Sequence, residues 1–261
     1  MHIANYWQQA DKNMKDAINK YLRRFGIEIH GVGYIQKLKN SDLKKSEWSK
    51  QKELLKSKAD VIFDVGANRG DITLKYLNLF PHAKIHSFEP FPDSYEIFIN
   101  RHKDSLNVHL NKYALSSSIG KSILNVYKSV DTNSLLESKK IGATSDKSCI
   151  SIGQIEIETN TIDNYCIQNN IKEIDILKID VQGSEIEVLK GAVEMLKKGS
   201  IKLIYTETYF EQQYVNQPLF HDISQLLYKH NFVLQDIYDP YFSKNNMLWC
   251  DSIFVNLSSM Y

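Results

Sequence analysis

Four carboxylates stand at the ends of apolar runs in this chain: Asp64 within Val61-Ile-Phe-Asp-Val65, Glu89 closing Ile85-His-Ser-Phe-Glu89, Asp180 closing Ile174-Asp-Ile-Leu-Lys-Ile-Asp180, and Glu207 closing 201–207. Short apolar runs suit strands buried on both faces of a parallel sheet, whose carboxyl edge is where such folds hold ligands. After the first run, Gly66 and Gly70 permit positive φ and close backbone approach, and Asp71 sits where a helix start favours an anion. A dinucleotide loop would read G-x-G-x-x-G, and a phosphate loop would end in Gly-Lys-Ser/Thr. Here the spacing is G-x-x-x-G, with Asp64 and Asp71 flanking the turn, an arrangement that repels a pyrophosphate.

A carboxylate at Asp64 could instead accept hydrogen bonds from the ammonium of an amino-acid-like ligand. Glu89 follows the loop by about 20 residues, where this fold class places an acid on ribose hydroxyls. A nucleoside with an ammonium and no phosphate meets both conditions, and S-adenosylmethionine is such a molecule. Taken singly, the glycines could make only a turn and Glu89 only a solvated strand end. In this order and spacing they favour the cofactor reading.

The chain resembles the FkbM-type methyltransferases, which use S-adenosylmethionine and have the class I methyltransferase fold. The resemblance rests on Phe63-Asp-Val-Gly-Ala-Asn-Arg-Gly-Asp71, Ser87-Phe-Glu-Pro90, Tyr113-Ala-Leu-Ser116 and Leu177-Lys-Ile-Asp-Val-Gln-Gly-Ser-Glu185, the last running into Val188-Leu-Lys-Gly-Ala192. It covers roughly residues 59–210. It implies cofactor contacts from Asp64, Gly66, Asn68, Gly70, Glu89, Ala114, Leu115 and Asp180. One departure is Gln182, where the family commonly carries Glu; a neutral amide there can still hydrogen bond. The implied reaction is O-methylation of a hydroxyl on a bacterial surface glycan or its sugar precursor. The alternatives are O- or N-methylation of a secondary metabolite and a noncatalytic nucleoside-binding or assembly module.

Methyl transfer is an in-line displacement, so the protein chiefly positions an acceptor and excludes water. A hydroxyl acceptor needs a base near the methyl group, and Asp180 and Glu207 are the expected catalytic residues at the ends of the fourth and fifth strands. The same pair could hold Mg2+ through oxygen ligands, as an alternative to a metal-free site. His221 and His230 are weaker base candidates. Tyr205, Tyr209, Phe210 and Tyr214 could line the acceptor or belong to the core, and Asp239-Pro-Tyr-Phe242 reads as a turn.

The elements needed to carry these residues alternate as βαβ units: strands over 61–64, 84–89, 108–110, 174–180, 201–207, 232–237 and 252–255, with helices over 71–80, 92–102, 162–170, 184–198 and 219–229. Two further strands, 122–127 and 154–159, flank a polar segment, 131–148, that reads as a substrate loop or lid. Ser184 and Glu187 suggest a capping box, and Gly199 a helix stop. The expected fold is α/β: a Rossmann-like, seven-stranded class I methyltransferase sheet with helices on both faces and an N-terminal helical extension. The expected domains are the extension, 1–58, and the methyltransferase domain, 59–261.

The 261 residues are 43% hydrophobic, enough for one sizeable core. Residues 1–58 carry 13 Lys and Arg against 6 Asp and Glu, whereas the remainder is acidic and the whole chain has a net charge of +1. The basic arm reads as a solvated face or an attractor of phosphates, and its amphipathic stripe, Met14, Ile18, Tyr21, Leu22 and Phe25, must bury itself on the sheet domain or on a second copy as a homo-oligomer. Residues 41–57 read as a helix that could cap the cleft. Cys149, Cys166 and Cys250 form no C-x-x-C pair, which suggests neither disulfide nor zinc and a cytoplasmic setting. Neither a membrane span nor an aromatic-basic nucleic-acid motif is visible. The resemblance implies a small-molecule or glycan acceptor as partner, and the basic arm suggests the inner membrane face as a peripheral location.

Overall fold

A computed structural model describes residues 46–139, 150–243 and 245–259 of the chain. The amphipathic helix expected near residues 11–26, Cys149, and the second half of the polar 131–148 segment lie outside the described residues. Seven strands form the main sheet: β1 (Val61–Val65), β2 (Lys84–Phe88), β3 (Val108–Asn111), β7 (Ile174–Ile179), β8 (Ile201–Tyr209), β9 (Phe232–Ser243) and β10 (Asn246–Asn256). Their order is β3-β2-β1-β7-β8-β10-β9. All neighbours run parallel except β10, which is antiparallel to both β8 and β9. This is the Rossmann-like class I methyltransferase sheet. The chain order reverses at β1 and β7, so their carboxyl ends flank a crevice where a ligand can enter.

Alternation along the strands sorts the core into two layers. Phe63, Val65, Leu177, Ile179 and Ile204 pack on one face with Tyr165, Val188, Leu189 and Ile223. Ile62, Ile176, Leu203 and Tyr205 pack on the other with Tyr76, Phe80 and Ile253. All six residues of β7 are buried, which fits its central place and its apolar sequence; the exceptions to that apolarity, Asp175 and Lys178, are both ion-paired.

The helices are α1 (Glu47–Leu54), α2 (Asp71–Leu79), α3 (Pro92–His102), α4 (Ile162–Gln168), α5 (Glu185–Lys190), α6 (Val193–Lys197) and α7 (Phe220–Tyr228). Helix α1 does not cap the cleft. Its Gln51 accepts from the Tyr76 hydroxyl at 3.0 Å and its Trp48 meets Tyr76 and Tyr205 edge-on, which sets it on the second core layer. The compact unit carrying the sheet accordingly starts at Ser46.

The helix expected over 184–198 is two helices. Asp163 explains the break: its backbone N–H donates to the Gly191 carbonyl, while its carboxylate accepts from the N–H groups of Glu194 and Met195 at 2.9 and 3.0 Å. One side chain thus caps the new N-terminus of α6. A Cβ on Gly191 would stand 2.1 Å from the Ser116 carbonyl oxygen, so glycine is required where the chains cross. The Ser184–Glu187 capping box does not form; Glu187 instead takes Ser117 and Lys190, and Ser184 makes no cap bond.

Strands β5 (Gly120–Tyr127) and β6 (Ser151–Asn160) pair antiparallel with each other, and β6 also pairs with the short β4 (Ala114–Leu115) in a separate three-stranded sheet. The segment Asp239–Phe242 is not a simple turn. It continues β9, with Asp239 at φ +44 and a register shift opposite Trp249 and Asp251, as an irregular strand does when an extra residue is accommodated.

Candidate active site

Strand β1 ends at Val65 and the chain turns over the carboxyl edge. Gly66 has φ +78, and a Cβ there would lie 1.9 Å from the carbonyl oxygen of Asp180, so this loop touches the end of β7 backbone to backbone. The N–H groups of Gly66 and Ala67 both donate to the Phe88 carbonyl, at 3.1 and 3.0 Å. Asn68, at φ +47, then donates its backbone N–H to Glu89 Oε2 at 2.8 Å, and the Phe91 N–H donates to Glu89 Oε1 at 2.7 Å. One backbone donor per oxygen orients the carboxylate and leaves each oxygen a further acceptor position. Burial pushes the Glu89 carboxyl up to about 7, against the pull of those two N–H groups.

A cleft of about 310 Å³ opens between these ends. Gly66, Asn68, Glu89, Ala114, Leu115 and Asp180, all expected at the cofactor site, line it together with Phe88, Asp71, Asp131 and Lys178. Of the charged groups named, four are carboxylates and one is an ammonium, so the cleft favours a cationic ligand and disfavours a phosphate. Among the described residues of the polar segment after β5, Asp131 accepts from Asn68 Nδ2 at 2.6 Å and Ser134 donates to the Gln182 carbonyl at 2.6 Å, so this stretch closes one side of the cleft.

Two expected cofactor residues are turned away. Asp64 is fully buried, accepts from Thr73 Oγ1 at 2.7 Å and lies 3.2 Å from Lys178 Nζ; it braces the loop from the core and does not line the cleft. Strand alternation places it on the same face as Ile62, toward α2. Gly70 caps α2 at φ +83, where a Cβ would meet the His102 ring at 2.5 Å, so its role is the close packing of α2 on α3.

Lys178 joins the two halves of the site. Its ammonium reaches Asp64, the Gly66 carbonyl at 3.2 Å and Asp180 Oδ2 at 3.6 Å. Burial works against its charge, but the two carboxylates outweigh burial and hold its pKa above the ordinary lysine range. The sequence signal for it was a lone lysine inside the apolar run of β7.

Asp180 and Glu207 come together, with Gln182 between them. Gln182 Nε2 donates to Asp180 Oδ1 and to Glu207 Oε2, each at 3.1 Å, and Gln182 Oε1 accepts from the Tyr214 hydroxyl at 3.0 Å. Tyr209 also donates to Glu207. Asp180 lines the cleft with its side chain 42% exposed, whereas Glu207 stands behind Gln182 and does not line it. Burial, then the charge of Asp180, raises the Glu207 carboxyl well above the carboxylate range, against the Tyr209 hydrogen bond. Nearby, Glu185 Oε1 accepts the N–H groups of Val181 and Gly183, shaping the loop that carries Gln182; burial pushes this carboxyl up to about 7.

The pair does not suit Mg2+. An amide donor occupies the space between the carboxylates, and no cluster of three acidic, His or Cys ligands exists among the described residues. His221 and His230 do not line the cleft. The four aromatic residues do not form one wall: Tyr205 bonds Asp251 in the core layer, Tyr209 and Tyr214 serve the carboxylate cluster, and Phe210 stacks on Phe220 at 5.2 Å. Cys166 and Cys250 are buried free thiols. No described helix is long and apolar enough to cross a membrane.

The methyltransferase FkbM domain family matches residues 64–234. The 2-O-methyltransferase NoeI of Sinorhizobium fredii is 28% identical over 207 residues, covering 70% of this chain and 76% of that protein. The hexuronic acid methyltransferase AglP of Haloferax volcanii is 27% identical over 146 residues, 56% of this chain and 55% of its own length. The chain thus spans between about half and three quarters of these relatives. A crystal structure of methyltransferase FkbM from Methylobacillus flagellatus superposes with a TM-score of 0.46 at 13% identity, over 76% of this chain and 44% of that one. With the family match spanning the sheet from β1 into β9, the chain belongs to the FkbM methyltransferase family.

Proposed function

We propose that this protein transfers a methyl group from S-adenosylmethionine to a hydroxyl of a sugar, in a bacterial surface glycan or its precursor. The observation that carries the reading is one cleft lined both by Glu89, buried and oriented by two backbone N–H groups, and by Asp180, a partly exposed carboxylate at the end of β7, two strands along the sheet from β2. The name of NoeI, a 2-O-methyltransferase, supports an oxygen acceptor, and that of AglP, a hexuronic acid methyltransferase, supports a sugar.

The residues present fit the cofactor. Glu89 has acceptor positions left for the two ribose hydroxyls, and Phe88, Ala114 and Leu115 offer an apolar lining for a base. The excess of carboxylates suits a ligand with a sulfonium and an ammonium. S-adenosylmethionine supplies a methyl carbon on a positively charged sulfur that is already a good leaving group. What remains for the chain is to desolvate and orient an acceptor hydroxyl and to take its proton. Asp180 is the base: its Oδ2 stands 3.6 Å from Lys178 Nζ, and Gln182 donates to its Oδ1. Glu207, withdrawn from the cleft behind Gln182, does not meet the acceptor.

Incubation with S-adenosylmethionine carrying a labelled methyl group and a panel of glycosides tests this. Base-stable label in a methyl ether is expected, with Asp180→Asn lowering kcat by about 10²–10⁴ while cofactor affinity stays within a few fold. Label on an amine, or an unchanged kcat in Asp180→Asn, would overturn it.

A further inference from the structure

Two carboxylates in one partly buried cluster need a positive partner, a shared proton or donors between them. At Asp180 and Glu207 that place is taken by a side-chain amide. Each proton of the Gln182 NH₂ group serves one carboxylate, at 3.1 Å in both directions. The orientation of the amide is set by the two carboxylates, since a flipped amide would turn its oxygen onto two acceptors; at its other end Oε1 lies 3.0 Å from the Tyr214 hydroxyl, which also reaches the Thr132 carbonyl at 3.2 Å. The backbone is equally constrained: Gln182 has φ +54, and its carbonyl accepts from Ser134 at 2.6 Å. Little freedom is left for the amide to swing out and admit an ion.

We propose that Gln182 is a positioning residue standing where a divalent cation would otherwise join Asp180 to Glu207, so that the site holds its base in place without a metal. The inference rests on the proposed role of Asp180 as the carboxylate facing the acceptor. It carries a sharp consequence. Glutamate has the length of glutamine, so Gln182→Glu keeps an acceptor for Tyr214 and puts a third carboxylate oxygen between the other two. Three carboxylates around one point make an oxygen-ligand set for Mg2+ or Mn2+.

The test is calorimetric titration of MnCl2 into the full chain, wild type and Gln182→Glu, with S-adenosylhomocysteine titrated in parallel to report separately on the cofactor reading. The wild type should give no Mn2+ isotherm. Gln182→Glu should bind one equivalent, at least roughly tenfold more tightly than any binding to the wild type, and lose it on further replacement of Asp180 by Asn. A variant that folds only with MnCl2 present supports the proposal equally, because the cation then neutralises the cluster. Wild-type Mn2+ binding abolished by Asp180→Asn would overturn it. So would a folded Gln182→Glu without Mn2+ affinity, or a variant that stays unfolded whether or not MnCl2 is added.

Discussion

Replacing Lys178 by Met removes the cation that, among the described residues, faces both halves of the site, while keeping most of the volume of its stem. Asp64, with its side chain fully buried, then loses its ion-pair partner and keeps only the Thr73 hydroxyl, and the Gly66 carbonyl loses a donor. Breaking a buried pair on one side costs about 3–5 kcal/mol, because the remaining charge is left without compensation. For a domain of this size about 2–4 °C of Tm accompanies each kcal/mol, so the midpoint should fall by about 6–20 °C. Urea or thermal unfolding of the single variants and of Lys178→Met with Asp64→Asn measures it. The double variant should recover much of the loss, since it removes the stranded charge as well as its partner. A loss in Lys178→Met below about 1 kcal/mol, or double-variant costs that simply add, would refute the reasoning.

Other outcomes follow from the same geometry. Glu89 has its folded pKa raised to about 7 from 4.5, so its contribution to stability is greatest below about 4.5 and is lost as the pH rises through 7. Glu185 acts in the same direction. The ligand-free protein should therefore unfold more easily in urea at about pH 8 than at about pH 5, and less steeply with pH in Glu89→Gln. The ionised form is the better acceptor of ribose hydroxyls, so cofactor affinity should rise across the same interval and flatten in that variant. Gly66→Ala forces a Cβ onto the Asp180 carbonyl at 1.9 Å and should cost more than about 3 kcal/mol together with cofactor binding, whereas Gly153→Ala, with nothing within 4 Å, should stay within about 0.5 kcal/mol; chemical unfolding compares them. Asp163→Ala uncaps α6 and should cost about 1–2 kcal/mol in the same assay.

The sheet was legible because its strands are short apolar runs and its turns carry Gly66 and Gly199, both at positive φ. Helix α3 was legible to the residue, since Pro92 begins it and its last turn is basic. The break between α5 and α6 was not, because it depends on Asp163, far off in sequence, capping a helix that propensity alone would continue. Spacing singled out Glu89, and the end of an apolar run singled out Asp180, and both line the cleft; the direction of Asp64 depends on which face of β1 meets α2, and pattern gives no sign of that in a strand buried on both faces. Gln182 was visible only as a departure from a motif. Its function as a bridge required the hydroxyl of Tyr214 and the carboxylate of Glu207 to be brought to it by other strands and loops.

The most direct test of the central claim is calorimetric titration of the purified protein with S-adenosylmethionine and S-adenosylhomocysteine, with NAD and ATP as controls. The account predicts saturable binding of the first two, weakened by about 1.5–3 kcal/mol in Glu89→Ala, and none of the phosphate-bearing controls. A folded protein that binds neither of the first two, or binds them no worse in Glu89→Ala, would contradict it.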